Sequence, residues 1–375
     1  MKDDTNKEAD VVSDPVCPVN SYTEWDPLEE VIVGVLEGAR FLGAELLYTA
    51  AFPPELWDQV VAKFGVQARP YPRELVDAAN KQLNEFIHII EAEGVKVRRP
   101  DIENSSLPYA TPAWGVDSGF GAVHPRDIMM VIGNEIIEAP MADQHRYFET
   151  WPYRSLLKEY FKAGAKWTMA PKPQLLKDQY VQNYEKPGTG EPARYLVTDF
   201  EPTFDAADFT RCGRDIFTQK SLLTNELGIQ WVQRHLGDEY RVHCIESDFQ
   251  FPLHIDVSLV PMAPGKVMIN PDHLTPEMLP DIFKTWDILI PPEPVNVKTA
   301  SGFDVAQYWT LLNILMLDEK RVIVDSSQEP LIKAFKDWGF EPVPCAFEAC
   351  WGSFFGSFHC ATLDVRRRGS LQSYF

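Results

Sequence analysis

One pattern recurs along the chain: a strand, a tight turn, a second strand, an amphipathic helix and a short apolar strand. It restricts the fold more than any compositional figure does. Its clearest copy runs from Asp127 to Ala139, with Gly133-Asn134 as a two-residue hairpin turn, a helix carrying Leu156, Leu157, Tyr160 and Phe161, and the closing strand Ala165 to Met169. A second copy has the strand Phe204 to Phe209, a turn at Gly213-Arg214-Asp215, a helix near Leu222 to Leu236, and the strand Tyr240 to Ile245. The third turns His254 to Val260 into Val267 to Ile269 at Pro264-Gly265. It then predicts a helix opened by Thr275 as N-cap and Pro276 as first residue, burying Leu279, Ile282, Phe283 and Trp286, and the strand Asp287 to Ile290. The fourth joins Leu312 to Leu317 with Val322 to Val324 and adds a helix presenting Leu331, Ile332, Phe335 and Trp338.

A fifth copy exists only if the two ends of the chain meet. Glu30 to Gly34 supplies one hairpin strand, Cys360 to Arg366 the other, and a helix from Leu75 to Ala92 precedes Val95 to Val97. Five such units predict an α/β fold that closes into a pseudo-fivefold propeller. Pairing the ends would also remove exposed sheet edges. An open α/β protein with the same spacing is the alternative. Residues 1–17 read as a polar tail and residues 18–375 as one domain.

The net charge of −20 argues against nucleic acid or an anionic membrane as partner and suits a cationic small ligand. The six cysteines form no CxxC pair and show no metal-ligand spacing with the histidines, so they read as reduced thiols in a reducing compartment. No run of 18 apolar residues and no signal-like N-terminus is visible, and the expected location is cytoplasmic.

Polar residues recur at equivalent places in the units. Asp127, Asp205, His254, Asp256 and Cys360 each fall near the start of a hairpin's first strand, which would bring them to one central channel. That convergence raises Cys360 above the ordinary reading of a lone cysteine as a small buried hydrophobe. The adjacent His359 is not expected to serve as its base, because neighbours on a strand point to opposite faces. Each of the others has a structural alternative: Asp205 and Asp208 as turn residues, Asp127 paired with Arg126 at the surface, His254 as a core histidine.

A thiol, a histidine and several carboxylates, with no phosphate-binding glycine loop, suggest covalent catalysis. Convergent carboxylates do not suit an oxyanion; they suit a guanidinium, which is planar, permanently charged and rich in paired donors. Such a cation held against Cys360 would favour the thiolate. The sulfur would attack the guanidinium carbon and His254 would protonate the departing amine.

Five segments carry a likeness to a known family: Glu24 to Gly34, Gly133 to Pro140, Phe204 to Asp208, His254 to Asp256, and Phe358 to Gly369. They closely resemble the arginine:glycine amidinotransferases, over nearly the whole chain after about Cys17. The resemblance implies the five-bladed α/β-propeller, or pentein, fold of guanidino-group-modifying enzymes, no metal or organic cofactor, L-arginine as donor and ornithine as first product. It also implies Cys360 as nucleophile, His254 as general acid and base with Asp205 as its partner, Asp127 and Asp256 as holders of the donor, and a homodimer.

This sequence departs from the glycine enzymes at several positions. His273 stands after Asn270-Pro271-Asp272 where they have an arginine, Ala306-Gln307 replaces paired serines, and Phe251-Pro252-Leu253 replaces Asn-Pro-Met. The loop Leu36 to Pro70 also differs widely. Losing a fixed cation and two hydroxyls weakens carboxylate recognition, so Phe251, Leu253, His273 and Gln307 are expected to shape a site for a bulkier amine without a carboxylate. Within the family the pattern is most similar to the cyanobacterial saxitoxin-pathway enzymes, whose acceptor is an amino-ketone. Glycine as acceptor, hydrolysis as in an arginine deiminase, and simple cation binding are the rival expectations.

Overall fold

The Gly133-Asn134 hairpin shows how the chain builds its sheets. Gly133 takes φ 61°, a left-handed conformation that costs a residue without Cβ nothing. On either side Met129–Ile132 and Glu135–Glu138 pair antiparallel. The helix Arg154–Lys162 buries Leu156, Leu157 and Tyr160 and returns the chain, so that Lys166–Met169 lies parallel to Glu135–Glu138. Phe161, expected on that face, is 59% exposed and meets Trp167 edge-on at the margin of the apolar stripe.

The computed structural model describes residues 17–375, apart from Thr189, Asp248 and the Leu46 side chain; the expected tail up to residue 16 lies outside the described residues. Within them the same order, an antiparallel pair followed by a parallel third strand, recurs in five three-stranded sheets. One of these joins the two ends: Leu28–Val33 pairs antiparallel with Thr362–Arg367 and parallel with Lys96–Arg98. The intervening helix Arg73–Ala92 buries Ala79, Leu83, Phe86 and Ile90 on one face. Among the described residues no helix is long and apolar enough to cross a membrane.

Four expected elements are different. The strand expected over His254 to Val260 starts only at Leu259, because Ile255–Val257 forms a 3-10 turn. The first strand of the second unit begins at Phe209, not Phe204, because Ala206–Asp208 forms a single 3-10 turn with Asp205 extended before it. Aspartates are poor strand residues, and the Asp208 carboxylate is tied down by the Ser221 and Thr224 hydroxyls at 2.6 and 2.5 Å. The helix predicted after Thr275 is replaced by two 3-10 turns, Pro276–Met278 and Asp281–Phe283, separated by Pro280. Proline has no N–H to continue a helix, yet Leu279, Phe283 and Trp286 still reach the core. In the fourth unit the strand shrinks to Leu315–Met316, since Trp309–Leu312 forms a helical turn.

These turns make one rule. In each of the five three-stranded sheets one strand of the antiparallel pair is preceded by a helical turn, at Pro125–Ile128, Ala206–Asp208, Ile255–Val257 or Trp309–Leu312, or by the turn around His359 and Cys360. The functional candidates therefore stand in turns, not in strands.

Beneath the turns lies a buried ion network. Asp364 Oδ2 accepts from Arg211 Nη2 at 2.6 Å and Arg367 Nε at 2.5 Å, and its Oδ1 is 2.5 Å from Arg126 Nη2. Arg211 also donates to both oxygens of Glu24, at 2.8 and 2.7 Å. Arg366 and Arg368 pair with Glu29, so the whole basic run meets carboxylates, as the acidity of the chain suggests. Burial alone would raise the Asp364 carboxyl, but Arg126 and Arg211 hold it well below the usual carboxylate range.

Asp364→Asn would leave buried guanidiniums uncompensated, and it is expected to lower stability by about 3–5 kcal/mol in urea unfolding. The pH dependence has a definite sign. Glu24 and Asp364 are depressed in the folded state, so their contribution is full above the unfolded carboxylate range near pH 4 and is lost as pH falls through it. Stability of the unmodified chain should be level near pH 5 to 6 in this term and drop below about pH 4, and Asp364→Asn should blunt that drop.

Candidate active site

Two of the preceding turns, through Asp127 and Cys360, and the residues just ahead of two others, Asp205 and His254, bring polar side chains to a cavity of about 190 Å³. Its floor carries Cys360, His254, Asp127, Asp205, Arg146 and His124. Its roof is the loop Leu36 to Pro70, folded as the helices Leu46–Ala51 and Pro54–Phe64, from which Tyr48, Phe52 and Leu56 reach the cavity. Its side wall is apolar, with Phe249, Phe251, Leu253, Trp309 and Phe355, and includes His273 and Gln307.

His254 immediately precedes the turn Ile255–Val257 with φ 59° and ψ 123°, outside the regions a side chain of this size favours. Such strain persists only where surroundings hold it. Here Asp205 Oδ2 lies 3.1 Å from Nε2 and Asp127 Oδ1 lies 3.7 Å from Nδ1. Burial alone would lower the imidazole, but the two carboxylates raise it well above its ordinary value, so His254 rests protonated.

Cys360 is 6% exposed and sits with Sγ 3.7 Å from Asp256 Oδ2 and 3.1 Å from Asn313 Nδ2. Burial first, and then Asp256 and Asp127, push its thiol up to about 12, against the pull of His254. The resting pair is therefore a neutral thiol beside an imidazolium.

The carboxylates retain unused capacity. Asp127 Oδ1, Asp205 Oδ1 and Asp256 Oδ1 are buried without a hydrogen-bond partner from the protein. A buried unpaired carboxylate oxygen is costly, and a cation with several N–H donors relieves it. The site contains a demonstration of that match: the guanidinium of Arg146 bonds Asp127 Oδ2 at 2.9 Å and both oxygens of Glu149 at 2.6 and 2.9 Å. Asp127 thus pairs with Arg146 in the interior and not with Arg126 at the surface, for Arg126 belongs to the network below.

Asp256 takes a different place from the others. It stands behind Cys360 and does not line the main cavity, with Oδ2 bonded to His359 Nδ1 at 2.7 Å and to Asn313 Nδ2 at 3.1 Å. His359 extends this chain toward Glu24, at 3.4 Å. The opposite-face argument does not apply to His359, because the strand begins at Thr362 and residues 358 to 361 form a turn.

His273 accepts or donates a 2.8 Å hydrogen bond with Ser258 Oγ and stacks on Phe249 at a centroid distance of 3.7 Å. Burial pushes it down to about 3, so it is neutral. Gln307 Oε1 accepts from Trp309 Nε1 at 2.5 Å. Burial likewise pushes His124 down to about 4. Among the described lining residues, then, the fixed cations are His254 and Arg146, and each is engaged by carboxylates. No three His, Cys, Asp or Glu side chains among the described residues are grouped to hold a metal ion.

Sequence reasoning missed Asn313 and Arg146. Asn313 lies inside an apolar run that reads as strand, but it occupies in the fourth unit the place that Asp127, Asp256 and Cys360 occupy in theirs. Arg146 meets Asp127 across 19 positions, with no local signal.

A thiol and an imidazolium stand here among carboxylates with unfilled acceptor capacity, an arrangement whose chemistry suits an organic cation. No protein-family model matches the chain. It is 50% identical over 358 residues to the L-arginine:L-lysine amidinotransferase of Pseudomonas savastanoi pv. phaseolicola, covering 95% of this chain and 96% of that one. It is 42% identical over 367 residues to the mitochondrial glycine amidinotransferase of Xenopus tropicalis, covering 96% of this chain and 85% of that one. Among solved structures it is similar to SxtG, an amidinotransferase of Microseira wollei in the saxitoxin biosynthetic pathway. The TM-score is 0.91 and the identity 59%, over 96% of this chain and 100% of the other. The chain belongs to the amidinotransferase family, transferases acting on arginine.

The raised thiol makes a direct expectation. With no substrate present, alkylation of Cys360 by iodoacetamide, followed peptide by peptide in a mass spectrometer, should accelerate about tenfold per pH unit from pH 7 to 10 without levelling off. A plateau near pH 8.5, the value of an ordinary thiol, would contradict the electrostatics described.

Proposed function

We propose that this enzyme carries the amidino group of L-arginine, through a covalent amidino-Cys360, to a primary amine other than glycine. The observation that carries the reading is the pair of unpartnered carboxylate oxygens, on Asp127 and Asp205, that line one cavity with a buried thiol and its imidazolium neighbour. On this reading the five sheets close as a pseudo-fivefold propeller with the site at its centre, so that one turn from each blade contributes.

Binding of the arginine cation releases the Cys360 proton to solvent, since His254 is already protonated and a positive charge held against the sulfur favours the thiolate; the thiolate regains a proton from solvent when product leaves. The sulfur forms a bond to the guanidinium carbon, and the bond from that carbon to the ornithine nitrogen breaks as His254 gives its proton to the departing amine. A planar amidino-thioether cation remains, with His254 neutral. The acceptor nitrogen then attacks the same carbon, His254 takes back a proton, and the thiolate leaves. Asp205 and Asp127 hold the imidazole through both halves, and Asp256 supports the cation from behind Cys360. The roof helices would exclude water while the intermediate waits.

The acceptor follows from the wall. Neutral His273, Gln307 bonded to Trp309, and the apolar Phe251 and Leu253 offer no free cation to a carboxylate. This supports an amine lacking that group, such as the amino-ketone of saxitoxin-type toxin biosynthesis, in keeping with the 59% identity to SxtG. A second reading, lysine as acceptor, is favoured by the 50% identity to the lysine enzyme, and the long lysine chain could keep its carboxylate at the mouth. A homodimer in the cytoplasm belongs to the same proposal.

The test is mass spectrometry of the purified chain after arginine alone, then product analysis with an amino-ketone, lysine and glycine offered separately. The expected result is one added amidino group on the Cys360 peptide, discharged by the amino-ketone at least tenfold faster than by glycine, and no adduct in Cys360→Ala. Discharge by lysine or glycine at equal or greater rate would overturn the acceptor. Citrulline with ammonia would make the chain a hydrolase. No adduct and no ornithine would remove the mechanism.

A further inference from the structure

Asn313 is fully buried and touches both groups that any chemistry at Cys360 must reconcile. Its Oδ1 accepts the backbone N–H of Ser357 at 3.0 Å and of Cys360 at 3.1 Å. Only the carbonyl end of an amide can accept, so these two bonds fix which way the side chain faces. The NH2 end must then point at Cys360 Sγ and at Asp256 Oδ2, both 3.1 Å away. Two hydrogens meet two acceptors, and all the bonding capacity of the amide nitrogen is used.

The placement answers an electrostatic difficulty. A thiolate at Cys360 would lie 3.7 Å from the Asp256 carboxylate, with Asp127 also nearby and little water to screen them. The facing cation is His254, while His359 is engaged by Asp256 Oδ2, the same oxygen that Asn313 bonds. A neutral donor placed between two negative groups binds both without adding charge, and a hydrogen bond to an ionised acceptor is stronger than one to a neutral acceptor. The bond from Asn313 therefore strengthens as the thiol loses its proton. The same residue grips the turn that carries the sulfur, so direction and charge are set by one side chain.

We infer that Asn313 is a positioning residue for the nucleophile, aiming Cys360 through its backbone and donating to its thiolate between the sulfur and Asp256. This rests on the reading of Cys360 as nucleophile, but it can be tested apart from turnover. The first variant is Asn313→Asp, which keeps an oxygen for the two backbone N–H groups and removes the NH2 donor. The second is Asn313→Ala, which removes both.

In the full chain without substrate, at pH 9, alkylation of Cys360 by iodoacetamide is expected to slow about tenfold or more in each variant. Alkylation of the half-buried Cys17 in the same sample should not change. Ornithine release in a single turnover should slow at least as much, with arginine affinity within about threefold of the unmodified chain. A folded Asn313→Asp chain alkylated at the unmodified rate would overturn the inference. So would a loss of arginine affinity with alkylation untouched, which would make Asn313 a binding residue. If neither variant folds by circular dichroism, Asn313 is a structural group only and the inference falls. An unmodified chain that makes no ornithine would instead sink the parent reading, and the substrate-free alkylation result would stand by itself.

Discussion

Asp364 is the point on which the architecture depends. One carboxylate, fully buried, binds guanidiniums from three separate places in the sequence: Arg126 ahead of one hairpin, Arg211 within another, and Arg367 on its own strand. Each charge alone would be prohibitively expensive to bury, so none of the three elements can leave without stranding the rest. Hydrophobic packing holds each sheet to its helix. Charge holds sheets of distant sequence to one another, and it is directional where packing is not. Arg126 Nε also donates to the Thr362 carbonyl at 3.1 Å, which ties the turn bearing Asp127 to the strand that follows Cys360.

The network and the active site share members. Glu24 bonds Arg211 below and lies against His359 above, and His359 holds Asp256 behind the sulfur. Positions of the candidate catalytic groups are thereby referred to the buried charged network. The strained backbone of His254 fits this picture, because a residue at φ 59° needs rigid neighbours to stay there. It also explains how so many carboxylates are tolerated near one thiol: the excess negative charge is the feature that a guanidinium would relieve.

Much of this was legible in the sequence, for identifiable reasons. Gly133-Asn134 announces a hairpin because few other dipeptides accept its turn, and the spacing of Leu83, Phe86 and Ile90 announces a helix because burial demands it. The meeting of Glu30 to Gly34 with the Cys360 segment followed from counting units. What stayed hidden lacked periodicity. A single helical turn before a strand, as at Ala206–Asp208, is too short to show a face, and its residues read as part of the strand. Thr275 and Pro276 signalled a helix start correctly, but Pro280 ended it after one turn. Asn313 was masked by Leu311, Leu312, Ile314 and Leu315 around it. Among the site residues, Asp127, Asp205, His254 and Cys360 do line one cavity, whereas Asp256 works from behind it.

The sheet that joins Leu28–Val33 to Thr362–Arg367 has a consequence for the order of events in synthesis. The strand partner of Leu28–Val33 is more than three hundred residues away, so a ribosome must add all of those residues before that strand can be covered on its antiparallel side. The sulfur, Asp364 and Arg367 emerge together at that same late stage. Any folding of the earlier units during synthesis would proceed with Arg126 and Arg211 still lacking Asp364, and the last sheet would supply the missing charge and the candidate nucleophile together. A product ending before that sheet would carry neither, so completion of the ion network and completion of the candidate site coincide.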